Sequence, residues 1–161
     1  MKKKTLKPLK EDNQKAIQKI ADKITYNIFN TNIIDIITRI GHSDIYHDGK
    51  YKITTNQIER ILSDKSHKIK AASAAFDGKI LIENAILDNV QKIATWLYED
   101  DNTQKTLVCD SDEYDYVIGT GIKYQNKKLQ ECEGYQGTIV LQKADNEYGF
   151  TCITAYPNIF M

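Results

Sequence analysis

The sequence is poor in the residues that build disulfide scaffolds, metal sites and membrane spans. Cysteine occurs three times, at Cys109, Cys132 and Cys152, an odd number spaced too widely for a CxxC redox pair or a disulfide framework. Three histidines with no HExxH motif make a zinc site unexpected. No stretch approaches the ~20 apolar residues that a membrane-spanning helix requires. We therefore expect free, mostly buried thiols in a reducing cytosol, with one disulfide and one remaining thiol as the alternative, and we expect no metal, no cofactor and no membrane span.

Proline and net charge are also scarce. Pro8 and Pro157 are the two prolines among 161 residues, so nothing in the interior forces a chain break. The 22 basic and 22 acidic side chains balance, and 41% of the residues are hydrophobic. This composition excludes wholesale disorder and fibrous repeats, and the length suits one domain with a real core. The lysine-rich start lacks the apolar segment of an export signal.

The balanced charge hides two halves of opposite sign. Residues 1–70 carry 15 basic and 8 acidic side chains, and residues 71–161 carry 7 and 14, which gives +7 and −7. Acidity is densest from Glu99 to Asp115, where seven carboxylates accompany one lysine. A basic half suits a polyanion and an acidic strip suits a basic protein, although charge alone favours solvated faces for both.

Helical periodicity dominates the first part of the chain. Apolar residues recur at three- and four-residue steps from Asn13 to about Ile40, and the polar residues 30–32 interrupt them. The pattern predicts two helical pieces that end at Gly41, after a loose polar tail over residues 1–12.

Two further helices are expected before residue 100. Thr54 or Thr55 is a suitable N-cap for a short helix that carries Arg60 and ends near Leu62. A longer helix is expected over residues 78–98, with Trp96 as a core anchor.

The pattern changes to strands after the acidic segment. Alternating or β-rich runs cover residues 116–124, 137–143 and 150–156, and residues 144–149 have the composition of a hairpin loop. The segment Gly119-Thr120-Gly121 lacks the lysine of a phosphate-binding loop, and its glycines favour a bulge or a close backbone approach. The predicted fold class is α+β, with N-terminal helices followed by an antiparallel sheet.

A few side chains could carry chemistry. His42 and His47 lie five apart in a polar, glycine-flanked segment, and imidazoles can exchange protons near neutral pH. Arg60 could clamp a phosphate. Thr154 and Tyr156, two apart in a strand, point the same way and could donate to phosphate oxygens. Taken alone, the histidine pair is more typical of a surface loop, Arg60 is compatible with an exposed helix face, and Thr154 with Tyr156 is more typical of an ordinary strand edge.

The order of these residues along the chain resembles a known family. Gly41-His42 is followed by His47, Arg60, a helix from Asn89 to Trp96, the Gly119-Thr120-Gly121 strand and a terminal Thr154-Ala155-Tyr156-Pro157. The series resembles the bacterial RNase A-like toxin domain at the C-termini of contact-dependent growth inhibition effectors. The resemblance covers roughly residues 38–158. It implies a nuclease domain over 38–161, and leaves residues 1–37 as a helical segment that belongs either to the nuclease or to a region that unfolds in transit.

The resemblance also implies a site and an activity. His47, Arg60, Thr154 and Tyr156 would be catalytic, with His42 as a supporting or alternative histidine. The fold would be kidney-shaped, like pancreatic RNase without its disulfides. The expected activity is metal-independent cleavage of RNA, tRNA being one candidate, by attack of the 2′-hydroxyl, with DNA resistant. The domain would be the C-terminus of a secreted or cell-surface effector, would act in the cytoplasm of the target cell and would be neutralised by an immunity protein.

Two other functions fit the same residues. An EndoU-like RNase of another fold would use its own histidine pair and give the same products. A non-catalytic module that binds RNA or protein would use the histidines and the terminal Thr-Ala-Tyr-Pro for structure alone.

Overall fold

The computed structural model describes residues 3–38, 62, 71–99 and 104–159. The chain forms α1 (Lys3–Asn30), α2 (Ile33–Ile37), β1 (Ala71–Ala75), α3 (Gly78–Asp88), α4 (Val90–Tyr98), β2 (Thr106–Asp110), β3 (Gly119–Gln125), β4 (Lys128–Gly134), β5 (Gln136–Lys143) and β6 (Phe150–Asn158). The class is α+β, as predicted. None of the helices in these ranges is long and apolar enough to cross a bilayer.

The predicted break in the N-terminal helical region is confirmed, and local side chains explain it. Asn30 Nδ2 donates to the Tyr26 carbonyl at 2.9 Å, and Thr31 Oγ1 donates to the Asn27 carbonyl at 2.7 Å. The backbone N–H of Thr31 donates to the same Asn27 carbonyl at 3.0 Å, and polar side chains that bond to the backbone in this way compete with continuation of the helix. The predicted loose tail over residues 1–12 is wrong from Lys3 onward, because α1 begins there. The lysine-rich composition concealed a helix, since lysine is a good helix former.

The region predicted as one helix over 78–98 is two helices that meet at Asn89. Asp77 caps α3 by accepting from the backbone N–H groups of Lys79 and Ile80, at 3.0 and 3.2 Å. Asn89 ends α3 by donating its side-chain amide to the Ala85 carbonyl at 2.8 Å. The apolar period continues across the break, which is why periodicity alone predicts a continuous helix.

The strands form two antiparallel sheets rather than one. Their orders are β1–β3–β4 and β2–β5–β6. The strands predicted over 116–124, 137–143 and 150–156 are confirmed as β3, β5 and β6, with the first beginning three residues later than predicted. The predicted hairpin loop over 144–149 is also confirmed. The pairings of β3 with β1 and with β4 run through Gly119 and Gly121 without a register shift, so the predicted bulge is not there.

Three strands are not predicted by the sequence patterns. β1 consists of alanine and serine, which favour helix or turn, so the helices-then-sheet order fails at this element. β2 lies inside the acidic segment, and β4 is mostly polar. A two-residue turn joins β3 to β4, with positive φ of 52° at Asn126 and 62° at Lys127. Lysine is unusual in such a turn, so this hairpin has no strong sequence signal.

One apolar core joins the helices to the inner face of the β2–β5–β6 sheet. Trp96 is 3% exposed within it, which confirms its prediction as a core anchor. All three cysteines are free, and Cys109 and Cys152 are buried, as expected. Isoleucines of both N-terminal helices belong to the same core, namely Ile24, Ile28, Ile33, Ile34 and Ile37. The predicted stop at Gly41 and nearly all of the predicted short helix lie outside the described residues; Leu62, at its end, is helical and exposed.

The close approach of α3 to β5 generates a stability prediction. A Cβ atom at Gly137 would lie 2.8 Å from Leu81 Cγ, inside van der Waals contact. Leu81 is buried and cannot withdraw without repacking. We expect Gly137→Ala to lower the free energy of unfolding by about 1–3 kcal/mol in urea denaturation. The exposed Gln142→Ala on the same strand is the matched control. An unchanged urea midpoint for Gly137→Ala would show that α3 and β5 are not this close.

Candidate functional site

Two of the five predicted site residues lie in the described part of the chain. Thr154 and Tyr156 stand near the end of β6. His42, His47 and Arg60 lie outside the described residues, so their approach to β6 stays a prediction. The β6 side of the predicted site is therefore the part that the structure describes.

A β-bulge in β6 decides which face Thr154 occupies. In a regular strand, residues two apart share a face, so Thr154 would follow the buried Phe150 and Cys152 into the core. The register prevents this. Cys152 lies opposite Leu141 and Thr154 lies opposite Val140, the residue before Leu141, so Ile153 is an extra residue with no partner of its own.

The bulge reverses the inward positions of the strand. Beyond it, Ala155, Pro157 and Ile159 are buried, whereas Thr154 and Tyr156 are half-buried on the opposite face. The prediction that Thr154 and Tyr156 share one side agrees with this arrangement. The face they share is the one that turns away from the core.

Tyr156 belongs to a row of polar side chains across the sheet. Thr138 on β5 is the cross-strand partner of Tyr156, and Asp110 on β2 is the partner of Thr138. The Thr138 hydroxyl donates to Asp110 Oδ1 at 2.7 Å, and Thr138 is 3% exposed. The neighbouring row joins Val108, Val140 and Thr154. The polar row therefore presents a phenol, a satisfied buried hydroxyl and an exposed carboxylate, in that order.

The surroundings of Tyr156 favour its neutral form. Burial raises the pKa of the Tyr156 hydroxyl above its usual value, and the negative charge of Asp110 raises it further. A phenol with a raised pKa keeps its proton at neutral pH and can donate it in a hydrogen bond. Tyr156 is thus suited to donating to an anionic oxygen, and unsuited to acting as a phenolate base.

Three side chains at one face of the α3–α4 helix pair donate hydrogen bonds to backbone carbonyls on the outer edge of β2 and just before it. Asn89 Nδ2 donates to the Asp110 carbonyl at 2.7 Å, Lys92 Nζ to the Val108 carbonyl at 3.0 Å, and Trp96 Nε1 to the Gln104 carbonyl at 2.9 Å. Residues 89, 92 and 96 recur at helical spacing, so they follow the strand edge together. The helix pair takes the place of a further strand and fixes the Asp110 backbone.

The described residues show no group of three or more histidine, cysteine or acidic side chains that could hold a metal ion. Asp110 is engaged with Thr138 rather than grouped with other carboxylates. Within this part of the chain, the polar row offers hydrogen bonds rather than metal ligands.

Comparison with known proteins gives one informative match. No protein-family model matches the chain, and no curated protein matches it in sequence. Among solved structures, the chain is similar to a chain in the crystal structure of the CdiA-CT/CdiI complex from Y. kristensenii. The TM-score is 0.57 at 20% sequence identity, over 76% of this chain and 97% of the other. At this identity, the likeness concerns the fold. The chain has the α+β fold of a chain in that complex.

Sequence reasoning missed Asp110 and Thr138. In the structure, exposed and buried residues alternate along Thr106–Asp110, but the sequence Thr-Leu-Val-Cys-Asp has three apolar residues in a row and adjoins acidic side chains, so it shows no period-two pattern. The pairing of Thr138 with Tyr156 depends on how β5 and β6 align across their loop and on the bulge between them, and neither strand's own pattern shows its partner.

The contacts of Asn89 generate a second prediction. Asn89→Ala leaves the Asp110 carbonyl at the strand edge and the Ala85 carbonyl at the helix end without this donor. We expect the free energy of unfolding to fall by about 1–3 kcal/mol in urea denaturation. Asn84→Ala, an asparagine of α3 that does not reach β2, is the matched control and should change it by less than about 0.5 kcal/mol. Equal effects of the two variants would contradict the edge-closing role.

Proposed function

We propose that this chain is the nuclease domain of a contact-dependent growth inhibition toxin and cleaves RNA without a metal ion. The observation that carries the proposal is the fold, which the chain shares over 76% of its length with a chain in a CdiA-CT/CdiI complex. We take that complex as a toxin bound to its immunity protein. The sequence resemblance to RNase A-like toxin domains supports the same assignment independently of the fold.

The hydroxyl pair of β6 supports the chemistry. RNA cleavage by its own 2′-hydroxyl needs a base for that hydroxyl, an acid for the departing 5′-oxygen and donors for the non-bridging oxygens of the phosphorane. Thr154 and Tyr156 lie on the face away from the core, and the raised pKa of Tyr156 keeps it a donor. In our proposal these two residues hold the non-bridging oxygens.

The residues supplied by the resemblance complete the proposed mechanism. His47 acts as the base or the acid, with His42 as its supporting or alternative partner. Arg60 stabilises the developing negative charge, for which a guanidinium is well suited because it donates bidentately. The products are a 2′,3′-cyclic phosphate and a 5′-hydroxyl. No cofactor enters this mechanism.

Delivery and inhibition follow from the toxin assignment. A nuclease that attacks cellular RNA would damage the cell that makes it, so the proposal includes a cognate immunity protein as partner. The domain would be carried as the C-terminus of a secreted or cell-surface effector and would act in the cytoplasm of the target cell. The basic first 70 residues, with a net charge of +7, favour a polyanionic substrate.

The decisive test is RNA cleavage in excess EDTA. Total cellular RNA incubated with the purified protein should be cut, as seen on a denaturing gel, and cleavage should fall at least about 100-fold in His47→Ala and Arg60→Ala. Intact RNA with the folded wild-type protein would instead favour the non-catalytic binding module. Full activity of either folded variant would remove that residue from the site.

The β6 hydroxyls have their own matched pair of variants. We expect Tyr156→Phe and Thr154→Val each to lower kcat about 10- to 100-fold, since each removes one donor to the transition state. Tyr116→Phe, which removes the hydroxyl of an exposed tyrosine, and Thr151→Val, before the bulge, are the controls. Equal activity of all four variants would mean that the outward face of β6 does not take part in the reaction.

The nucleophile is tested with the substrate rather than the protein. An oligonucleotide with a single ribonucleotide should be cut only after that nucleotide, and the all-deoxy oligonucleotide should stay intact, because the 2′-hydroxyl is the proposed nucleophile. Cleavage of the all-deoxy strand would exclude this mechanism. Products are identified by mass spectrometry, in which a cyclic phosphate is 18 Da lighter than a linear one, about the mass of the water not added at the phosphorus.

A further inference from the structure

A cleft of about 430 Å³ lies between α1 and the hairpin loop that joins β5 to β6. Small-molecule sites occupy about 300–1,000 Å³, so the cleft is large enough for one ligand. It lies at the end of the β5–β6 hairpin away from Tyr156. Tyr156 lies six residues after Phe150 along β6, roughly 20 Å at the rise of an extended strand.

The interior and the rim of the cleft differ in chemistry. Apolar side chains from helices and sheet line its interior, among them Ile20, Ile24 and Leu97. Lys23 and Asn27, one turn apart on α1, lie at one side, and Tyr148 lies at the other. An apolar surface with a few convergent polar groups is the usual composition of a ligand site.

The loop side of the cleft is held in shape by its own hydrogen bonds. Asn146 Oδ1 accepts from the backbone N–H groups of Tyr148 and Gly149, at 2.9 and 2.7 Å, and its amide donates to the Phe150 carbonyl at 3.1 Å. Gly149 adopts a φ of +85°, which glycine tolerates without strain. A wall that is already ordered costs little conformational entropy when a ligand binds.

Hydrogen bonding and a neighbouring aromatic ring also orient the ammonium group of Lys143, the other lysine of the cleft besides Lys23. Lys143 Nζ donates to the Glu99 carbonyl at 2.7 Å and lies 5.5 Å from the centroid of the Trp96 ring. By contrast, Lys23, Asn27 and Tyr148 use no side-chain polar atom in a hydrogen bond or ion pair with the residues the structure describes. Among the described residues that line the cleft, Glu147 is the one carboxylate beside Lys23 and Lys143.

We propose that this cleft is a nucleotide-binding subsite, which takes one nucleotide of the RNA substrate away from the Thr154–Tyr156 face. The choice of ligand rests on the proposed function. The base lies on the apolar interior beside the Tyr148 ring, where stacking is independent of sequence. The phosphate faces Lys23 and Lys143, and the Asn27 amide can both donate to and accept from a base edge.

Binding of nucleoside 5′-monophosphates to the full chain tests the proposal, since these ligands bind without being cleaved. We expect saturable binding of AMP, CMP, GMP or UMP by isothermal titration calorimetry, weaker binding of the matching nucleoside and weaker binding of inorganic phosphate. Lys23→Ala should weaken monophosphate binding about three- to ten-fold and leave nucleoside binding unchanged. Asn27→Ala should weaken the binding of both the monophosphate and the nucleoside. Lys19→Ala, an exposed lysine one turn earlier on α1, is the matched control.

Several results would overturn the subsite. The first is the absence of saturable monophosphate binding. The second is monophosphate binding that Lys23→Ala and Asn27→Ala leave unchanged. The third is binding of inorganic phosphate as tight as that of the nucleotide, which would indicate a simple anion site. Binding of the hydrophobic dye ANS without nucleotide binding would identify the cleft as a docking surface for an apolar side chain. RNA cleavage is scored separately. Cleavage without monophosphate binding would contradict the subsite but not the proposed nuclease activity. Monophosphate binding without cleavage would contradict the nuclease activity but not the subsite.

Discussion

The outer edge of β2 is the constraint on which the rest of the described fold depends. An edge strand presents unpaired carbonyls. Here Asn89 and Lys92 donate to two carbonyls of β2, and Trp96 donates to the Gln104 carbonyl just before the strand. Because Asn89 also ends α3, one side chain links the break between the two helices to the edge of β2. Asp110 is the last residue of this strand, so the same contacts fix the start of the polar row that reaches Tyr156.

The bulge at Ile153 has the corresponding role on β6. One inserted residue lets the strand bury Phe150 and Cys152 before it and Ala155 after it, while Thr154 stays off the core face. The strand can therefore fill the core and also carry a functional face. Bulges next to active sites commonly redirect side chains in this way, and the proposed nuclease site agrees with that use.

The two ends of the β5–β6 hairpin serve different parts of the proposed reaction. The end near Tyr156 offers neutral hydroxyl donors, which suit the charge that develops on phosphate in the transition state. The loop end offers lysines, an amide and an aromatic ring, which suit a nucleotide already bound. Separating these tasks along one rigid hairpin would let substrate binding and catalysis vary independently.

The sequence by itself determined the α+β class, the helix break after Asn30, the core position of Trp96 and the strands β3, β5 and β6, because these depend on local periodicity and side-chain type. Tertiary structure alone decided that Ala71–Ala75 forms a strand, since its alanines favour helix until β3 pairs with them. Tertiary structure also decided that the strands divide into two sheets and that Asp110, Thr138 and Tyr156 lie in one row across the second of them. Those features arise from pairing between separate segments, and which strands pair, and in which register, depends on both partners and on the connection between them rather than on either segment read alone.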